Sequence, residues 1–209
     1  MQDSEYAPHP ISPDVTAFVL TGGKSERMGK DKALLPLASG ATLLEHALAV
    51  ASAVAGQIGI IGPRERYAAY AWAGEIIEDI FPQQGPLAGI HAALSVSKTE
   101  WNIVLAVDLP RVTPELLRWM LGEARKSGKQ VTVASVSGGL HPLCGVYRRD
   151  FRQRAEAGLR EGWNKVAANF DPASTRTLTE DEVRTAGFEP ELFQNVNTPE
   201  EFQKLSAGK

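Results

Sequence analysis

The sequence predicts an α/β domain of three layers, with helices on both faces of a mostly parallel central sheet. Short runs rich in Val, Ile and Leu alternate with helix-like stretches along the chain. The run Trp101–Val107 is apolar throughout except for Asn102, as expected of a strand buried on both faces. Several helical stretches also open on recognisable caps. Thr42 stands three residues before Glu45, Thr113 precedes Pro114, and Thr198-Pro199 leads to Glu201.

In chain order, Val15–Leu20 reads as the first strand and Thr42–Ala55 as a helix with apolar residues at helical spacing. Gln57–Ile61 is a second strand, Arg64–Trp72 a short helix, and Glu75–Glu78 a third strand ending at Asp79. Pro86–Val96 is a helix entered from the Gly85-Pro86 turn. Trp101–Val107 is the fourth strand, Thr113–Lys126 a helix, Val131–Val136 the fifth strand and Leu140–Tyr147 another. Phe151–Leu159 and Trp163–Asn169 read as helical, Thr175–Leu178 and Leu192–Val196 as short strands, and Thr198–Leu205 as a closing helix. Ser137-Gly138-Gly139 is a loop and not a domain boundary. Residues 1–14 are expected to be a flexible extension, and 15–209 a single domain.

Composition narrows the function. A chain of 209 residues with 43% hydrophobic content is enough for one sizeable core. A net charge of -3 with a pI near 5.9 argues against a general nucleic-acid binder. The single cysteine, Cys144, excludes an internal disulfide and a cysteine-based zinc site, and reads as a small core residue. No segment approaches the length of a membrane span, and the first residues lack a signal-peptide pattern, so a cytoplasmic enzyme is expected.

The chemistry concentrates after the first strand, in Leu20-Thr21-Gly22-Gly23-Lys24-Ser25-Glu26-Arg27-Met28-Gly29-Lys30-Asp31-Lys32. Glycines let the backbone approach a ligand and aim successive N–H groups at it, while Lys and Arg supply charge for an anion. A nucleoside triphosphate suits that combination. A Walker A loop needs four residues between its first Gly and its Gly-Lys pair. Here five separate Gly23 from Gly29, and Asp31 follows Lys30, so this is not a P-loop. The dinucleotide fingerprint is absent as well.

In open α/β sheets ligands bind beyond the carboxyl ends of the strands. Asp108 follows the apolar run Ile103–Val107, where a carboxylate is costly unless solvated, paired or bound to metal. Triphosphate chemistry normally uses Mg²⁺ held by one or two carboxylates plus phosphate oxygens, which makes Asp108 the candidate metal ligand. Asp79 carries a weaker signal, because Glu78 is adjacent and either acid could simply be solvated. In Gly85-Pro86-Leu87-Ala88-Gly89, Gly85 permits a tight turn, and Gly89 serves either close ligand approach or helix–sheet packing. His141 alone reads as a surface or core histidine. Capping explains Thr198-Pro199-Glu200-Glu201 but leaves Asn195 and Asn197, which flank Val196, unexplained.

These separated motifs, in this order, resemble the nucleotidyltransferases that attach a nucleotide to a phosphorylated acceptor, and more narrowly the molybdenum cofactor guanylyltransferases. That family reads Leu-Ala-Gly-Gly, Arg-Met-Gly and Asp-Lys in its first loop, then Gly-Pro-Leu-Ala-Gly, Asp-x-Pro, His-Pro and Asn-Val-Asn-Thr-Pro-Glu-Glu. The resemblance runs from Leu20 to Glu201 and implies a Rossmann-like nucleotidyltransferase fold. It implies that Leu20, Thr21, Gly22, Gly23, Lys32, Asp79, Gly85, Pro86, Leu87 and Asp108 bind the nucleotide, with the base near Gly85–Leu87. It further implies that Arg27 and Lys32 neutralise the phosphates, that Asp108 holds Mg²⁺, and that His141, Asn195 and Asn197 lie on the acceptor side. The implied reaction transfers GMP from GTP to the phosphate of the molybdopterin-bound molybdenum cofactor, releasing pyrophosphate. Delivery of the product to molybdoenzymes or insertion chaperones is an expected partnership; nucleic acid and membrane are not expected.

The chain departs from the family pattern twice. Thr21 stands where Ala is usual. Some members carry an asparagine at the end of the second strand, where this chain has Ile61-Gly62-Pro63; there the Gly62 backbone or another group must serve. Three alternatives stay open: a cytidylyltransferase for the same pterin, a sugar- or alditol-phosphate nucleotidyltransferase, and a nucleotide-binding regulatory module without catalysis. The cytidylyl branch typically has Ala-Ala-Gly where this chain has Thr21-Gly22-Gly23, which favours GTP. Joint presence of Lys32 and Asp108 argues against a pure binder.

Overall fold

The computed structural model describes residues 11–21 and 31–196. Its strands are β1 (Ser12–Leu20), β2 (Ala55–Ile61), β3 (Glu75–Ile77), β4 (Trp101–Ala106), β5 (Val131–Val136), β6 (Gly139–Arg148) and β7 (Thr175–Thr179). Its α-helices are α1 (Leu43–Ser52), α2 (Arg64–Tyr67), α3 (Pro86–Val96), α4 (Pro114–Ser127), α5 (Phe151–Arg160) and α6 (Glu180–Thr185). The strands form one sheet in the order β3-β2-β1-β4-β6-β5-β7. β6 pairs antiparallel with both β4 and β5, and every other pairing is parallel.

The reversal at β6 follows from the turn before it. Ser137 and Gly138 take φ of 51° and 77°, and two consecutive positive φ values are what a tight type I′ hairpin requires. The chain therefore folds back at once, whereas the parallel connections around it need crossovers. The resulting order puts β1 and β4 side by side, in register from Val15↔Trp101 to Leu20↔Ala106. Thus the segment after Leu20 and the one after Ala106 emerge together at the same edge of the sheet.

Strand periodicity sorts side chains between two cores. Val15, Ala17 and Val19 of β1 face a cluster with α1 and α4, including Leu44, Leu48, Leu117 and Met120. Phe18 and Leu20 face the opposite cluster with α3 and α5, including Leu87, Ile90, Phe151 and Leu159. The Thr42 capping box on α1 forms as expected, with Glu45 N donating to Thr42 Oγ1 at 3.1 Å and Thr42 N to Glu45 Oε2 at 2.6 Å. Asn102 is the polar exception in β4. It is fully buried, its amide donates to the Thr99, Glu100 and Tyr147 carbonyls, and Ser97 Oγ donates to its oxygen. Every polar atom of that side chain is satisfied, so its burial is tolerated.

The structure revises several expected boundaries. β1 begins at Ser12, three residues before Val15, because Ser12 N donates to Val54 O at 2.8 Å. The helix expected over Arg64–Trp72 is α2 followed by a 3₁₀ turn, Ala68–Tyr70, and Trp72 is exposed. Of Trp163–Asn169, only Val166–Asn169 is helical, as a 3₁₀ turn; Trp163 N instead bonds Gly158 O at 2.8 Å, closing the end of α5. Leu192–Val196 is not a strand. Pro190 takes the first position of a 3₁₀ turn, Pro190–Phe193, that buries Phe193, and a short apolar run does not distinguish the two. The sequence reading missed α6 altogether. The closing helix expected over 198–205 lies outside the described residues.

α6 is held by the same capping device as α1, with Thr179 and Glu182, and Glu182 also receives Arg176 Nη2 at 2.5 Å. The Arg176 bond, with the cap's backbone bond, lowers the Glu182 pKa to about 2. A depressed folded pKa stabilises the protein above the ordinary carboxylate range, and that stabilisation is lost as pH falls toward 2. Glu182→Gln keeps an oxygen for the cap but removes the charge paired with Arg176, and should cost about 0.5–1 kcal/mol at pH 7. In urea unfolding followed by circular dichroism, the difference from wild type should shrink steadily below pH 4.

Candidate functional site

The site forms where the sheet's parallel strands end. β1 ends at Leu20, and the chain passes through Thr21, which is buried. Thr21 N and Thr21 Oγ1 both donate to Ile61 O, at 3.1 and 2.8 Å. The threonine hydroxyl is thus engaged inside the sheet. Gly22, Gly23 and Arg27 lie outside the described residues.

The chain re-enters at Asp31 and makes a 3₁₀ turn, Lys32–Leu34. Asp31 caps it, accepting from Ala33 N at 3.0 Å. Lys32 projects to Asp108 beyond the end of β4, with Nζ 3.3 Å from Oδ2. Both side chains are largely enclosed, 15% and 23% exposed. Two groups separated by 76 positions in sequence therefore form one cation–carboxylate pair, because β1 and β4 are neighbours.

Asp108 Oδ1 is buried and has no hydrogen-bond partner among the described residues. An orphaned carboxylate oxygen is costly in isolation. It fits a site completed by a bound cation: one oxygen is held by lysine and the other is open to a metal ion. Among the described residues no group of three or more His, Cys, Asp or Glu could cage a metal. The donor set thus suits an ion that takes one or two protein carboxylates and leaves its remaining positions to phosphate or water.

Of the expected base-side residues, Asp79 meets α3 at the ends of β1 and β2. Gly85 adopts φ 77°, ψ −165°, a conformation open essentially to glycine alone, and starts α3 with Pro86 at its first position. Leu87 is fully buried under the sheet. Gly89 lets α3 approach the strand ends: a β-carbon there would lie 3.3 Å from Ile61, 3.4 Å from Leu20 and 3.6 Å from Asp79 Oδ1. Gly89 thus serves helix–sheet packing, one of its two expected uses. Asp79 follows β3 at the rim. It is exposed, yet its surroundings desolvate the carboxyl enough to raise its pKa.

On the other side, Val196 N donates to Asp108 O at 2.9 Å, which brings Asn195 alongside Asp108. His141 Nε2 lies 3.3 Å from Val136 O, and its ring stacks obliquely on Phe193 at 5.2 Å. His141, Phe193 and Asn195 therefore share one end of the sheet with Asp108. Asn197 lies outside the described residues. Gly62 N donates to Ile77 O at 2.9 Å, so its amide serves the sheet and is not available to a nucleotide. Sequence reasoning did not single out Asp31, Arg66 or Tyr67, which join the site only through tertiary contacts; Asp31 stood in plain view beside Lys32. Cys144 is fully buried, with its thiol pKa pushed to about 12 by desolvation, as suits an inert core residue.

Fold and strand-end site together define a class, the nucleotidyltransferases. Residues 17–173 match the family described as the MobA-like NTP transferase domain. The chain is 32% identical, over 92% of its length and 95% of the relative's, to a probable molybdenum cofactor guanylyltransferase of Carboxydothermus hydrogenoformans. The crystal structure of molybdopterin-guanine dinucleotide biosynthesis protein A from Archaeoglobus fulgidus superposes with a TM-score of 0.77. It is 26% identical, and the match covers 92% of this chain and 97% of that one. A Mycobacterium tuberculosis protein solved in complex with manganese shares the fold, with a TM-score of 0.62 and 20% identity over 94% of this chain and 99% of that one. The chain belongs to the MobA-like NTP transferase family.

The conformation of Gly85 gives a direct check on how the base side is built. Among the described residues, its own chain neighbours aside, no atom lies within 4 Å of where its β-carbon would stand, so the strain of replacement lies in the backbone. Gly85→Ala should lose about 1–3 kcal/mol in urea unfolding from the strained backbone, and a stability within error of wild type would show that the turn is not held as described.

Proposed function

We propose that the enzyme transfers GMP from GTP to the phosphate of the molybdopterin-bound molybdenum cofactor, forming the guanine dinucleotide cofactor and pyrophosphate. The observation that carries the reading is the Lys32–Asp108 pair with its open carboxylate oxygen, set between a glycine turn on one side and the His141–Asn195 side on the other. The names borne by similar proteins supply the substrate pair.

In this reading an oxygen of the acceptor phosphate attacks the α-phosphorus of GTP. The bond from that phosphorus to the β-phosphate bridge oxygen breaks, and its electron pair leaves with pyrophosphate. The acceptor phosphate is already ionised at neutral pH, so the site needs no general base, and His141 serves acceptor placement. Gly22 and Gly23 supply backbone donors, Lys32 and Arg27 offset phosphate charge, and the Gly85–Pro86 turn with Asp79 faces the nucleoside, while Leu87 is buried and packs in the core. Asn195 and Asn197 face the pterin. Asp108 would hold Mg²⁺, which would supply charge stabilisation for the phosphates. The protein's contribution is positioning and fixed charge in place. The setting is cytoplasmic, with hand-over to molybdoenzymes or insertion chaperones. Among the described residues no helix is long and apolar enough to cross a membrane.

Pyrophosphate release with the molybdenum cofactor and GTP, CTP or UTP, each with Mg²⁺, tests this. GTP should be the preferred donor, and preference for CTP or UTP would overturn the reading. Asp108→Ala should lower turnover about a hundred- to a thousandfold while the circular dichroism spectrum stays that of wild type. Unchanged turnover would remove Asp108 from the site.

A further inference from the structure

A second polar constellation stands behind Lys32 and is centred on Tyr67. This residue ends α2 and is 1% exposed. Its hydroxyl donates to Asp31 Oδ2 at 2.8 Å. The other oxygen of the same carboxylate caps the turn that carries Lys32. Arg66 Nη1 lies 3.5 Å from Asp31 Oδ2 and holds the carboxylate from the solvent side. The Thr21 hydroxyl also lies against the Tyr67 phenol. A β-carbon at Gly62 would press on Thr21 Oγ1 and come within 2.8 Å of the Tyr67 ring. The Thr21 hydroxyl and the Tyr67 ring together fill the space that a side chain at position 62 would need.

Packing accounts for the ring but not for the hydroxyl, since phenylalanine would fill the same volume. We propose that Tyr67 is a positioning residue for Lys32: through Asp31 it fixes the short turn that aims the lysine ammonium at Asp108 and at the bound triphosphate. This rests on the assignment of Lys32 to the nucleotide phosphates. The bond joins the α2 crossover to the loop after β1, so the lysine's direction is set by the fold and not by the loop alone. Burial raises the phenol pKa to about 12, so the hydroxyl keeps its proton and its donor role throughout the neutral range.

Calorimetric titration of GTP with Mg²⁺ into wild type, Tyr67→Phe, Lys32→Ala and the double variant separates positioning from simple stability. Tyr67→Phe should weaken GTP binding about tenfold in the wild-type background, the scale of a lost hydrogen bond to a charged group. In the Lys32→Ala background it should weaken binding less than twofold, because a positioning residue has nothing left to position. Asp31→Ala should show the same dependence on Lys32 from the loop end of the bond, which keeps the test open if Tyr67→Phe folds poorly. Equal losses in both backgrounds, or no loss in either, would overturn the inference. If Lys32→Ala itself binds GTP as wild type does, the phosphate role of Lys32 fails, and this inference with it. A tenfold loss on Lys32→Ala with none on Tyr67→Phe overturns the inference alone.

Discussion

The structure turns on one ion pair, Lys32 Nζ to Asp108 Oδ2 at 3.3 Å. Neither group is well placed by itself. A carboxylate at the end of an apolar strand and a lysine enclosed beside it would each be costly alone, and partial burial strengthens their attraction as much as it raises that cost. Together they form a preorganised charge centre at the carboxyl edge of the sheet. Its open side is Asp108 Oδ1, the oxygen without a partner among the described residues. A site of this kind keeps part of its polar capacity unmet in the protein and completes it with ligand.

Much of the architecture bears on that pair. The parallel register of β1 with β4 brings the two emerging segments together, and the tight reversal at Ser137-Gly138 lets β6 take its place on the far side of β4. The backbone bond from Val196 to the Asp108 carbonyl ties the last described segment to the same point. Gly89 allows α3 to sit close against Leu20 and Ile61, near Asp79.

The order of strands and helices was legible because each rests on local signals. Apolar runs gave the strands, and the Thr42–Glu45 pair gave α1 to within a few residues. The same signature at Thr179–Glu182 was overlooked, since the helix it starts is short and buries only Val183. Leu192–Val196 was misread because a proline-initiated 3₁₀ turn and a short strand bury similar residues. Within the site, Asp108 was legible from the cost of its position, and Lys32 from its place in a basic, glycine-rich run. Tyr67 was not legible. Its partners Asp31 and Thr21 are 36 and 46 positions away, and nothing local marks a tyrosine in an arginine-rich stretch as belonging to a distant loop.

The central claim is that Asp108 is the protein's metal ligand and that bound nucleotide completes its coordination. Electron paramagnetic resonance of Mn²⁺ tests it directly, since the free ion has a strong six-line spectrum that is lost on binding. Wild-type protein with a non-hydrolysable GTP analogue should deplete the free Mn²⁺ signal well beyond the sum of protein alone and analogue alone, and Asp108→Asn should abolish that excess. Equal depletion by wild type and Asp108→Asn would contradict the account and place the metal elsewhere.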